Sequence, residues 1–125
     1  MHLMQRFRGR SNIFTLWNTQ RTLFGAWQLL GDAVASEHFA CAGYDVVCID
    51  LQHGLMSESQ AFEGVRALSA FSETCIPMIR VAKNDPSSIH RALDAVHQFI
   101  HRSAVIRSGS GFLGSAWNCC TIDKL

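Results

Sequence analysis

The sequence predicts an α/β protein whose βα units follow one another along a parallel sheet. Three observations predict it. Val46–Gly54 (VVCIDLQHG) is an apolar run that stops abruptly in Asp50, Gln52 and His53. Its unalternating Val-Val-Cys-Ile core implies burial on both faces, as in a parallel sheet covered by helices. Ile76–Val81 repeats the pattern and ends in Arg80 and Val81. Strand-like and helix-like segments then alternate in units of about 25–30 residues, the spacing of successive βα units.

The elements follow in order. Residues 3–18 read as a helix anchored by Leu3, Phe7, Phe14 and Trp17, with Gly9 weakening it. Asn18–Thr22 reads as a turn. Leu23–Gln28 (LFGAWQ) suits a first buried strand, and Gly25 there permits close backbone approach. Asp32 begins a helix through Ala42; Val34, His38 and Phe39 fall at helical spacing and Gly43 is the stop. Tyr44–Leu51 is the second strand. Ser57 with Gln60 three residues on is a capping sequence for a helix to about Phe71. Ile76–Val81 is the third strand. Asn84–Asp85–Pro86 is a turn leading into a helix with an apolar stripe at Ile89, Ala92, Leu93 and Val96. Residues 97–125 lose clear periodicity. This alternation does not separate a barrel from an open doubly wound sheet. Neither standard glycine-rich phosphate loop is present, which leans against a nucleotide-binding open sheet.

Composition narrows the function. A chain of 125 residues with 48% apolar content fits one domain with one moderate core. A net charge of +1 offers no strong field for nucleic acid. No apolar stretch approaches the roughly 20 residues that span a bilayer, so no membrane partner is expected. No acidic residue precedes Asp32, whereas Arg6, Arg8, Arg10 and Arg21 do; this start resembles a transit peptide, and the plainer reading is a solvated first helix. The five cysteines (41, 48, 75, 119, 120) are odd in number and form no C-x-x-C pair. Three sit in apolar segments, as reduced thiols do, which points to a reducing, cytoplasmic setting. Vicinal Cys119 and Cys120 make a poor zinc signature.

Five separated blocks then agree with a known family. FGAW (24–27), AGYDVVCIDLQHG (42–54), IPMIRV (76–81), NDP (84–86) and ALDA (92–95) resemble, in order and spacing, the first half of the HpcH/HpaI aldolases, which are class II, metal-dependent pyruvate aldolases. The resemblance covers roughly residues 14–95 and implies a partial (β/α)8 TIM barrel, about the first three βα units, followed by a divergent tail. It divides the chain into residues 1–95, the N-terminal part of the barrel, and residues 96–125. It implies a carbon–carbon lyase that cleaves a 4-hydroxy-2-oxo acid to pyruvate and an aldehyde. His53 matches the general base, Arg80 the cation that stabilises the enolate, Asp94 the acid that raises the histidine's basicity, and Trp27 a wall of the pyruvate pocket. Gln52 stands where many members have Glu.

Chemistry supports these roles. Aldol cleavage leaves a pyruvate enolate, so a site must hold negative charge and move one proton. Imidazoles titrate near neutrality, a nearby carboxylate strengthens such a base, and a fixed guanidinium stabilises an oxyanion. Each residue also has a plainer reading. His53 could cap the following turn, Arg80 could be a surface ion pair, Asp94 a solvated helix charge, and Trp27 plain core. For Asp50 the two readings, holding the His53 loop or serving structure alone, are even. His38, His90, His97 and His101 read as surface or partly buried residues.

After Ala95 the pattern departs from the family. Val96–Ile100 stands where a fourth strand opened by Gly-Ala is expected, and a reading-frame change or alternative exon would account for it. The family's metal ligands, a Glu and an Asp for Mg²⁺ or Mn²⁺, lie beyond this chain's end. The expectation is therefore an impaired or inactive lyase that takes a small keto-acid substrate. Open sheet edges favour a homo-oligomer or association with full-length subunits. The alternatives are a non-catalytic fragment that pairs with full-length aldolase subunits, and a complete small α/β binding domain.

Overall fold

The structure, a computed structural model, describes Leu16, residues 18–99 and residues 104–106. The elements are β1 (Gly25–Gln28), α1 (Ala33–Cys41), β2 (Val46–Asp50), α2 (Glu58–Phe71), β3 (Ile76–Arg80), α3 (Pro86–Phe99) and β4 (Ala104–Ile106). The first helix expected from the sequence lies outside the described residues, apart from Leu16 and Asn18. So do Cys119 and Cys120.

Local chemistry sets the boundaries. Asp32 caps α1, its carboxylate accepting the Val34 N–H at 2.9 Å. Gly43 follows the helix at φ +85°, in the left-handed region that favours glycine. Ser57 and Gln60 form the expected capping box: the Gln60 N–H donates to the Ser57 hydroxyl and the Ser57 N–H to Gln60 Oε1. Asp85 accepts the Ser88 N–H at 3.0 Å where α3 begins.

The sheet order is β1-β2-β3-β4 and every pair is parallel. A doubly wound sheet reverses strand order and carries helices on both faces. Here the order never reverses within the described strands, and α1, α2 and α3 all meet one face. Val47, Ile49, Ile79 and Val81 pack there with Ala40 of α1, Ala61, Val65 and Leu68 of α2, and Ala92 of α3. That is the singly wound arrangement of a barrel wall, so the chain forms part of a TIM-type barrel. Cys75 joins this layer, and burial, with Asp45 second, pushes its thiol up to about 11.

The fourth strand is a finding that the sequence pattern did not supply. β4 pairs with β3 through Met78–Ala104, Ile79–Val105 and Arg80–Ile106, and α3 continues past Ala95 to Phe99.

Side chains alternate across a strand, so residues of opposite parity point away from the helices. Cys48, Ile76 and Met78 line that second face with Leu16, Leu23 and Val46. Asp50 and Arg80 share its parity. No helix among the described residues is long and apolar enough to cross a membrane.

Packing, more than capping, is expected to dominate stability. Ile49→Ala removes a fully buried side chain from the sheet–helix layer and should cost about 2–5 kcal/mol. Ser57→Ala removes one cap and should cost about 1 kcal/mol. Urea denaturation of both variants checks the ranking, and a larger loss at Ser57 would contradict this account of the core.

Candidate functional site

The site forms where β1, β2 and β3 end. Asp50 is the last residue of β2, and its position in the strand turns its carboxylate to the face opposite α1, α2 and α3. Arg80, the last residue of β3, stands beside it in the sheet. Trp27 of β1 pairs with Cys48 and so lies on the same face, one step diagonally from Asp50.

Asp50 is 1% exposed, and both of its oxygens are engaged. Oδ1 accepts the Gln52 N–H at 2.8 Å, the His53 N–H at 3.1 Å and Arg80 Nε–H at 3.0 Å. Oδ2 accepts the indole N–H of Trp27 at 2.8 Å. Burial pushes the Asp50 carboxyl up. The Trp27, His53 and Gln52 donors and the Arg80 charge outweigh it, holding the group below the usual carboxylate range.

Arg80 makes two uses of its guanidinium. Nε pairs with Asp50, and the charged plane lies over the Trp27 ring with Cζ 5.2 Å from its centroid. Among the described residues its terminal nitrogens make no hydrogen bond, which leaves donors of the kind that meet an anion.

His53 sits on the loop after β2. Its backbone is pinned by Asp50, while its imidazole is exposed and makes no hydrogen bond among the described residues. Gly54 allows the loop to turn back on the strand. Its N–H donates to Asp50 O at 3.1 Å, and a Cβ there would lie 2.0 Å from that same oxygen.

The structure thus brings Trp27, Arg80 and the His53 loop together around Asp50. It does not bring Asp94 to them: Asp94 is exposed on α3, and no hydrogen bond joins it to His53 among the described residues. His38 and His90 are exposed, as expected; His97 and His101 carry no side-chain description. The sequence left Asp50 evenly balanced, and the geometry shows it holding the His53 loop. Sequence reasoning passed over Gln28, which is 2% exposed at the end of β1. A polar residue closing an apolar strand was the available signal.

A divalent ion fits poorly here. Among the described residues no three His, Cys, Asp or Glu side chains gather to hold a metal. The carboxylate at the centre already accepts four N–H groups.

The lowered Asp50 pKa gives a pH signature. An unfolded Asp titrates near 3.9, and the folded value lies lower, so the stabilisation is complete above about pH 4 and lost as pH falls through the folded pKa. Asp50→Asn should therefore be destabilised by a constant amount from pH 5 to 8, with the gap to the parent chain closing below about pH 4. Denaturant melts across that range check it; a gap that widens on acidification would contradict the charge network.

Known proteins resemble this chain in sequence and in fold. No family model matches the chain. A hydroxypyruvate/pyruvate aldolase of Paraburkholderia phytofirmans is 36% identical over 73 residues, 58% of this chain and 28% of the relative. One of Rhizorhabdus wittichii is 32% identical over 85 residues, 68% of this chain and 33% of the relative. The chain thus spans a third or less of the length of these curated relatives. Among solved structures, an HpcH/HpaI aldolase/citrate lyase family protein from Burkholderia cenocepacia superposes with a TM-score of 0.56 at 38% identity, over 58% of this chain and 28% of that one. Macrophomate synthase gives 0.57 at 26% identity, over 66% and 28%. By sequence and by fold, then, this chain matches the N-terminal part of the HpcH/HpaI aldolase family.

Proposed function

We propose that this site is the enolate-handling portion of a carbon–carbon lyase of the pyruvate aldolase type. The substrate class is a 4-hydroxy-2-oxo acid, cleaved to pyruvate and an aldehyde in the cytoplasm. One observation supports this above the others: Arg80 is held by Asp50 and Trp27, and among the described residues its terminal donors are unbonded, beside the loop that presents the His53 imidazole. On this reading the His53 imidazole moves the proton. Arg80 stabilises the oxygen on which charge develops, and the Trp27 ring walls the keto acid. Asp94 joins the scheme through the family resemblance alone.

The family is generally metal-dependent, and Mg²⁺ or Mn²⁺ would polarise the keto oxygen. The described residues do not supply a donor set for it. For that reason the chain by itself is proposed to be impaired as a lyase.

A chimera tests the reading. Residues 23–95 replace the matching segment of the P. phytofirmans relative, and deuterium exchange at the pyruvate methyl group is followed with Mg²⁺ or Mn²⁺ added. The chimera should exchange. His53→Ala should lower the rate about 10²–10⁴-fold, and Arg80→Ala about 10²–10³-fold. Asp94→Asn should lower it less. A folded chimera whose exchange ignores both His53 and Arg80 would end the proposal.

A second reading has its own support. Among the described strands β1 and β4 each have one unpaired edge, and Phe24, Leu29, Leu30 and Leu55 are exposed around the first strand. Such features favour pairing with another chain. A non-catalytic fragment that associates with full-length aldolase subunits should co-purify with the relative's subunits when the two are expressed together.

A further inference from the structure

Gln28 ends β1 with its side chain on the helix side of the sheet, 2% exposed. Both ends of its amide are engaged. Nε2 donates to Leu30 O at 2.8 Å and to Asp32 O at 3.3 Å. Oε1 accepts the hydroxyl of Ser36, a buried residue of α1, at 2.9 Å. The direction of these bonds is fixed by chemistry: a turned amide would set its oxygen against two carbonyls. Gln28 therefore holds the β1–α1 loop in one shape.

That loop is clasped to the loop that carries His53. The Leu55 N–H donates to Leu29 O at 2.8 Å, and Leu30 and Leu55 form a parallel bridge. A Cβ at Gly54 would lie 3.2 Å from Leu29 O, so the two backbones run close together. Side-chain packing does not make this clasp, since Leu30 is 62% and Leu55 84% exposed. Backbone bonds make it, and they depend on where the carbonyls of residues 29–32 are held.

We propose that Gln28 is a positioning residue for His53, acting through the β1–α1 loop. Asp50 fixes the start of the His53 loop from within the sheet. Gln28 fixes its far end, by setting the loop whose Leu29 carbonyl receives Leu55. The importance of His53 rests on the aldolase reading; the clasp does not.

The test uses the full 125-residue chain, hydrogen exchange at individual amides and the NMR signals of the His53 ring. Gln28→Met keeps the bulk and removes all three bonds. It should speed exchange at the Leu55 amide about tenfold relative to the Ile49 amide, as the loss of about one hydrogen bond would, and should move the His53 ring resonances. Ser36→Ala leaves both Nε2 bonds in place and should change the Leu55-to-Ile49 ratio less than about threefold. If Gln28→Met does not fold, Gln28→Glu keeps the volume, turns an oxygen toward the two carbonyls, and should give the same pattern. Equal acceleration of Leu55 and Ile49, or an unmoved His53 ring, would overturn the proposal. Failure of the chimera would remove the catalytic meaning of His53 and leave this result standing. Failure here would leave the aldolase reading standing.

Discussion

The buried carboxylate of Asp50 organises this end of the molecule. An ionised group that is 1% exposed is costly unless donors surround it. Asp50 takes its donors from three elements: the indole of β1, the guanidinium of β3, and two backbone N–H groups from the loop that follows its own strand. None of these can move far without leaving a buried charge short of partners. One side chain thus sets the spacing between β1 and β3 at the sheet's carboxyl end and the path by which the chain leaves β2. The sheet register makes this possible, since Asp50 stands directly beside Arg80 and Trp27 lies one step back on the other neighbour.

The same network decides what is left over. With Nε paired to Asp50 and Cζ over the Trp27 ring, the Arg80 guanidinium is held at two points. A guanidinium held in this way needs little reorganisation to meet an oxyanion, which is where electrostatic stabilisation gains its force. Trp27 is 43% exposed, so the stacked pair lies open to solvent on one side. The described residues thus bring a guanidinium and an indole to this end of the sheet rather than a cluster of carboxylates, a setting that suits an anion better than a bare metal ion.

Much of the fold was legible because its signals are local. The capping box at Ser57 and Gln60, the stop at Gly43 and the abrupt ends of the apolar runs at Asp50 and Arg80 all depend on residues within a few positions of one another. Which face Asp50 and Arg80 share depends on the register of β2 against β3, which only the structure gives. What the sequence could not show is non-local. The Trp27–Asp50 bond spans 23 residues and the Asp50–Arg80 bond spans 30, and neither has a spacing rule. β4 is three residues long, too short to print a period. Gln28 looked like the polar end of a strand; only the α1 packing that brings Ser36 over it reveals a buried amide. The sequence placed Asp94 with the site through family likeness, whereas its helix packs on the opposite face of the sheet.

The two restraints on the His53 loop differ in kind, and the difference fits the proposed chemistry. Asp50 acts on the loop's backbone through a buried charge, so the Cα of His53 is held firmly. The Leu29–Leu55 clasp is a neutral backbone bond beneath two exposed leucines, so it depends on the shape of the neighbouring loop. Neither restraint touches the imidazole. A group that must take a proton and return it cannot have both ring nitrogens committed to the protein in every step. A base on a fixed backbone whose ring makes no hydrogen bond among the described residues meets that requirement. A histidine serving only to cap its own turn would instead spend a ring nitrogen on the backbone, as His38 does with Nδ1 2.7 Å from Val34 O.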